Sequence, residues 1–339
     1  MDVLGSTSKS SSGDFAGSAT GTGKRGTIPY SYLFALQPNK TSMSKKIGIR
    51  AWIDFAFRKI FGKPGNEICL ISLLNSVLEL PNSIEHVEFQ NPFSLRDFED
   101  DKLICVDVKA SDKVGRIFVV EVQIVVHSSF SKRALFYACS AYADQLRTGQ
   151  GYGNLKATYS ICLLMRNLWQ DDQLHHHYRL VERTTGNVLE ESIEIHTVEL
   201  SKYNNTVGSV RESSPLEQWC YWIKNAGNHS EDELRELLPG LAFLRATSEL
   251  RGIQEITEEK EMYDSREKAI LDYESNLIDA REEGREEGRE EGRAIGSIQL
   301  LQDLLGFPVA SEELLRTMPI EQLVSTVEEL QSKLRQRNA

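Results

Sequence analysis

The chain has 339 residues, 40% of them hydrophobic and 26% charged, which suits one large or two modest domains with a proper core. No run approaches the roughly 18 apolar residues of a membrane-spanning helix. The first residues, MDVLGSTSKSSSGDF, lack the apolar stretch of a secretory signal.

The net charge of −11 argues against nucleic acid as a partner until its distribution is counted. Residues 1–44 hold four Lys/Arg against two Asp/Glu, 45–168 hold sixteen against thirteen, and 169–339 hold nineteen against thirty-five. The acidity belongs to the C-terminal half, and the mildly basic part before it is compatible with phosphate binding. Cys69, Cys105, Cys139, Cys162 and Cys220 are odd in number, lack zinc-type spacing and sit mostly in apolar patterns. They read as buried free thiols of a reducing compartment, with a cytoplasmic location expected.

Residues 1 to about 27 are rich in Ser, Gly and Thr and read as disordered, within a tail that extends to residue 44. Met43 is an alternative start, an expectation that N-terminal sequencing of the native protein checks. Phe55, Phe57, Ile60 and Phe61 suit a short helix ended by Gly62. Asp54, just before it, has two readings: an N-cap accepting the first free amides, or an active-site acid that helps to hold a metal or its water. A second, buried helix runs from Asn66 to about Leu78 and stops at Pro81 and Asn82. Val87–Phe89 reads as a strand, and 92–101 as a polar loop.

The stretch from Leu103 to Val126 reads as two β-strands around a turn at residues 112–116. Even-numbered residues on both strands are apolar: Ile104, Val106, Val108 and Ala110, then Phe118, Val120, Val122, Ile124 and Val126. They belong to a core face. The opposite face carries Asp107 and Lys109 on the first strand and Glu121 and Gln123 on the second, because residues two apart share a side. A five-residue loop pairs Ser111 with Ile117, Lys109 with Val119, and Asp107 with Glu121. Opposed residues place their Cβ atoms about 4.5–5.5 Å apart, so two carboxylates stand side by side. Such a pair is destabilising unless something binds between them, and a hard divalent cation is the usual occupant.

A helix is predicted from about Lys132 to Arg147, capped by Ser128–Ser131 and ended by Gly149, Gly151 and Gly153. Arg133, Tyr137 and Gln145 on it are candidates for contacts to a substrate phosphate or to the metal site; the bland alternative is packed stems with wet ends. Thr158–Met165 reads as a buried strand. Residues 175–183 and 193–200 flank ThrThrGlyAsn and read as another hairpin. Its triple histidine reads as a surface feature, since His176 cannot share a side with His175 and His177, and no Cys or carboxylate lies at a finger-like spacing.

Trp219, Tyr221, Trp222 and Ile223 begin a helical region. From Gln254 to Gly296 the chain is charged and helical and contains the repeat REEGREEGREEGRAIG. Each Gly costs about 1 kcal/mol against Ala, so the segment is either a frayed solvated linker or a helix whose bare Gly stripe admits a partner helix. Two amphipathic helices around GlyPhePro close the chain and suit an interaction module, including contact between copies as a homo-oligomer.

The segments DFAFRKIFG, LISLLNSVL, DVKASD, VVEVQ, RALFYACSAYADQL with GQGYGNL after it, and IEIHTVEL resemble, in order and spacing, the Rpn family of recombination-promoting nucleases and transposases. That family is a branch of the PD-(D/E)xK nuclease fold, and the resemblance covers about Asp54 to Leu277. It implies an α/β, restriction-endonuclease-like core with a mixed sheet flanked by helices, here over residues 45–205, with a helical region at 206–280, the repeat at 281–296 and a C-terminal helical module at 297–339. It also implies catalytic roles for Asp54, Asp107, Glu121 and Gln123, with Asp107 and Glu121 holding Mg²⁺ (or Mn²⁺).

Gln123 stands where the wider fold usually has lysine; it can orient a water but carries no charge. Lys109, on the same face, is a candidate for the missing cation. The expected function is a metal-dependent DNA endonuclease linked to recombination or mobile elements, with DNA and no membrane as partner. The alternative is a catalytically silent nuclease fold that binds DNA or assembles proteins.

Overall fold

Alternating apolar residues on either side of a short turn form the antiparallel pair β2 (Val108–Ser111) and β3 (Ile117–Gln123). Gly115 makes the turn possible: its φ of +86° is a left-handed conformation that costs a side-chain-bearing residue steric strain. The register is Val108↔Val120, Lys109↔Val119, Ala110↔Phe118 and Ser111↔Ile117, as the loop length requires. This computed structural model describes residues 45–91, 93, 107–204 and 206–337. The N-terminal tail with Met43, residues 94–101 of the polar loop, and Ile104, Cys105 and Val106 of the first hairpin strand lie outside them.

Around this pair stands a mixed sheet of six strands among the described residues, in the order β1-β2-β3-β4-β6-β5. Its other members are β1 (Glu88–Phe89), β4 (Thr158–Leu164), β5 (His175–Arg179) and β6 (Ile193–Glu199). β4 lies parallel to both β3 and β6, and the outer pairings are antiparallel. Every residue of TYSICLL is buried because β4 is covered on both faces.

The even-numbered face of β2 and β3 joins α1 (Asp54–Gly62), α2 (Glu67–Val77), α4 (Pro215–Asn225) and α6 (Leu241–Glu255) in the main core. Trp219 anchors it, with its ring 5.3 Å from Phe61 and 4.3 Å from Phe243. Gly227 is required for a different reason than Gly115: a Cβ there would lie 2.4 Å from the carbonyl oxygen of Ile49.

The other face is covered by α3 (Phe130–Ala143), the crossover from β3 to β4, whose buried residues Phe130, Ala134, Ala138 and Ala141 recur every three or four positions. Ala141 packs on Ile117 and Val119, and Phe130 and Ala134 on Cys162 and Leu164. Two expectations need correction. The alternation ends with the strand at Gln123, so Val126 turns to the α3 side instead of the main core. The helix spans 130–143 rather than 132–147, and Cys139 on its outer side is exposed while Cys69, Cys162 and Cys220 are buried.

Lys59, 2% exposed, ties α1 to α6 and α7 (Thr257–Leu305): its ammonium pairs with Glu259 and lies 4.0 Å from Glu249, which also receives Lys63 at 3.0 Å. Between α4 and α6, Ser230 caps α5 (Glu231–Leu237) in a reciprocal capping box with Glu233. The charged repeat is part of α7, one continuous helix of 49 residues ended by Gly306 in the left-handed conformation. Among the described residues, nothing outside the helix's own backbone lies within 4 Å of the position a Cβ would take at Gly284, Gly288, Gly292 or Gly296, so no described helix of this chain packs on the Gly stripe. Beyond it, the end of α7 packs with α8 (Glu312–Leu315) and α9 (Ile320–Arg337) around Ile298, Leu301, Leu323 and Leu330. Among the described residues no helix is long and apolar enough to cross a membrane.

Candidate active site

Just before β2 begins, the side chain of Asp107 extends the pairing to β3: its Oδ2 accepts the amide of Val122 at 2.7 Å. The carboxylate is thereby fixed beside Glu121, the residue before Val122. Arg58 of α1 donates its Nε to the Asp107 carbonyl at 3.0 Å, so the start of β2 is pinned from the helix side as well. Burial pushes the Asp107 carboxyl up to about 8; the charges of Glu121 and Asp54 raise it further, against the Val122 amide and Arg58. Both neighbouring acids are therefore electrostatically coupled to Asp107.

Glu121 is 8% exposed beneath α3. Burial lifts its carboxyl to about 7, opposed by Arg133, whose guanidinium lies 3.8 Å from Glu121 Oε1. Gln123, two residues on, donates its Nε2 to the same oxygen at 2.5 Å and accepts from Arg133 through Oε1. Arg133 thus fixes which way the Gln123 amide points. The Nε of Arg133 is buried without a hydrogen-bond partner among the described residues.

Asp54 is the first residue of α1, and the N-cap is Ile53, so its carboxylate does not cap the helix. Its Oδ1 accepts only the next amide, that of Phe55, at 2.8 Å, and its Oδ2 lies 3.9 Å from Arg266 on α7. Burial raises its pKa, and Arg266 and Arg58 oppose the rise.

Of the other candidates, Lys109 lies on the site's face of β2, with its amide bound to Asn91 at 2.5 Å, but its ammonium makes no ion pair among the described residues. Arg133 is the cation that reaches Glu121. Gln145, beyond the end of α3, spends its amide on the chain entering β4: Nε2 donates to the Lys156 carbonyl at 2.9 Å and Oε1 accepts the Lys156 amide at 2.9 Å. Tyr137 packs edge-on against Phe136, one turn beyond Arg133. Sequence reasoning missed Arg58 and Arg266. Arg58 stands four residues after Asp54 on the same helix, a readable spacing; Arg266 arrives from a helix more than 200 residues away and leaves no local sign.

The donor set fits a hard divalent cation. Asp107 Oδ1 and Glu121 Oε2 accept no hydrogen bond among the described residues, which leaves one oxygen on each carboxyl free to ligate. A family model described as "PD-(D/E)XK nuclease family transposase" matches residues 51–280, which include every residue of this site. No curated protein and no solved structure matches the chain.

Proposed function

The chain belongs to the PD-(D/E)XK nuclease family of transposases, and on that footing we propose that it is a metal-dependent DNA endonuclease, cutting phosphodiester bonds in recombination or in the movement of genetic elements. The observation that supports this reading is that Asp107 Oδ2 accepts the amide of Val122, the residue after Glu121, while Asp107 Oδ1 and Glu121 Oε2 have no hydrogen-bond partner among the described residues. Bound there, Mg²⁺ or Mn²⁺ would stabilise charge on the scissile phosphate and lower the pKa of a water.

The chain's own residues do the rest. Glu121 and Asp107 are held ready by Arg133 and by the Val122 amide, so little reorganisation is needed when a cation arrives. Gln123, with its amide oriented by Arg133, can hold a water by hydrogen bonds, and Arg133 supplies the positive charge that glutamine lacks. Asp54 adds a third acid on the α1 side.

The test is Mg²⁺-dependent nicking of supercoiled plasmid by wild type and by Glu121→Ala at matched thermal stability. Nicking by wild type alone supports the reading. DNA binding without nicking by either would identify a silent nuclease fold.

A further inference from the structure

The opposite face of the same sheet carries a second cluster of metal-ligating side chains. Glu194 and His196 are two residues apart on β6 and share a side, continuing the rows Phe118–Tyr159–Glu194 and Val120–Ile161–His196. His177 stands directly opposite His196 on the edge strand β5. The Nε2 of His177 lies 2.7 Å from Glu194 Oε2, and the Nε2 of His196 lies 3.6 Å from that same oxygen. One ligand atom from each of the three residues falls within 4.8 Å of the others. A tetrahedral ion with bonds of about 2.0–2.1 Å separates its ligands by about 3.4 Å, and the two observed separations bracket that value.

A second observation singles this cluster out from an ordinary polar patch. His196 is 3% exposed, and its Nε2 is buried with no hydrogen-bond partner among the described residues. Its other nitrogen is taken: Nδ1 lies 2.9 Å from Nε2 of His175. A proton shared between His177 and Glu194 would satisfy those two groups and still leave His196 Nε2 at 3.6 Å from Glu194 Oε2, beyond hydrogen-bond distance. The His177 and His196 rings stand stacked at 4.3 Å with planes 14° apart, so a turn of the exposed His177 ring is what would aim both Nε2 lone pairs at one ion. They line a cavity of about 660 Å³ together with Tyr159, Arg116 and Arg179.

We propose that His177, His196 and Glu194 form a second metal site, for a divalent transition-metal ion of the zinc class, in which the His175 hydrogen bond fixes the His196 tautomer and the ion clips the edge strand β5 to β6. Two imidazoles and one carboxylate are the donors that such ions prefer, whereas Mg²⁺ prefers oxygen alone. The partner on the second nitrogen is the usual support of a ligating histidine. The site lies across the sheet from Glu121, and the inference does not rest on the nuclease reading.

Untagged full-length protein, stripped with EDTA, is titrated with zinc chloride by calorimetry and with cobalt chloride by visible absorption. The expected result is one tight equivalent in wild type and in the Asp107→Ala/Glu121→Ala double variant, with excess Mg²⁺ failing to compete. Binding should weaken at least about 100-fold in His177→Ala and in Glu194→Gln. His177 is exposed, so its variant should fold, which far-UV circular dichroism checks. Zinc should raise the melting temperature of wild type and not that of His177→Ala. Failure of wild type to bind zinc, or binding unchanged in both single variants, overturns the proposal.

Discussion

On one face of the central sheet Glu121 and Gln123 lie beneath Arg133; on the other, Glu194 and His196 lie beside His177. Both clusters are built from residues two apart on a strand plus a neighbour across the ladder, yet they differ in what each strand pair contributes. The hairpin of β2 and β3 brings acids together, whose oxygens suit a hard cation. The β5–β6 pair brings imidazoles together around one acid, which suits a softer ion. The difference teaches that one sheet can present clusters of different chemistry on its two faces, because its pleat sends alternate side chains to opposite sides.

The largest expected effect separates the faces outright. Glu121→Ala or Asp107→Ala should lower plasmid nicking by at least about 10³-fold while leaving zinc uptake by the histidine face intact; calorimetry on the same samples checks both. Next comes the cation. Arg133→Met should cost roughly 10- to 100-fold in nicking, and Lys109→Met clearly less, because only Arg133 reaches Glu121 and Gln123 among the described residues. Equal losses, or a larger one for Lys109, would return the role to the lysine.

A third comparison uses stability without metal. In the folded chain the Asp107 carboxyl is raised from 3.8 to about 8, so the folded state favours the protonated form. Stability that is present below about pH 4 is therefore lost as pH rises toward 8. Asp107→Asn, always neutral, should match wild type near pH 4 and exceed it by about 1–3 kcal/mol at pH 8–9 in EDTA, by urea denaturation. The smallest effect is a control inside the HisHisHis run. His176 faces the α3 side, near Asp171 at 3.2 Å and Glu199 at 3.3 Å. His176→Ala should leave zinc affinity and nicking within twofold of wild type, by the same calorimetry and plasmid assays.

The carboxylate face was legible because everything that makes it is local. Parity, a five-residue turn and Gly115 set the register from Val108↔Val120 to Ser111↔Ile117 without knowledge of the remaining strands. Parity also placed Lys109 on that face and made it the natural cation, but parity says nothing about how a helix docks, and the docking of α3 is what brings Arg133 to Gln123. The Asp54 cap failed for a similar reason: the helix starts one residue earlier than a cap requires. The histidine cluster was hidden more deeply. The argument that neighbours in HisHisHis point to opposite faces holds, yet ligands on β5 and β6 meet only through pairing across a loop, His177 with His196. The spacing Glu194-x-His196 within a predicted hairpin was the available sign.

The long helix α7 has a consequence for how the molecule comes apart. Every residue from 275 to 290 is exposed, about 24 Å of bare helix, and the hydrophobic cluster around Ile298 and Leu323 shares no side chain with the main core. Cooperativity between the two ends can pass only along backbone hydrogen bonds, through a stretch containing Gly284, Gly288 and Gly292, where each glycine weakens helix propagation. The two ends are therefore expected to melt in separate transitions, which differential scanning calorimetry checks.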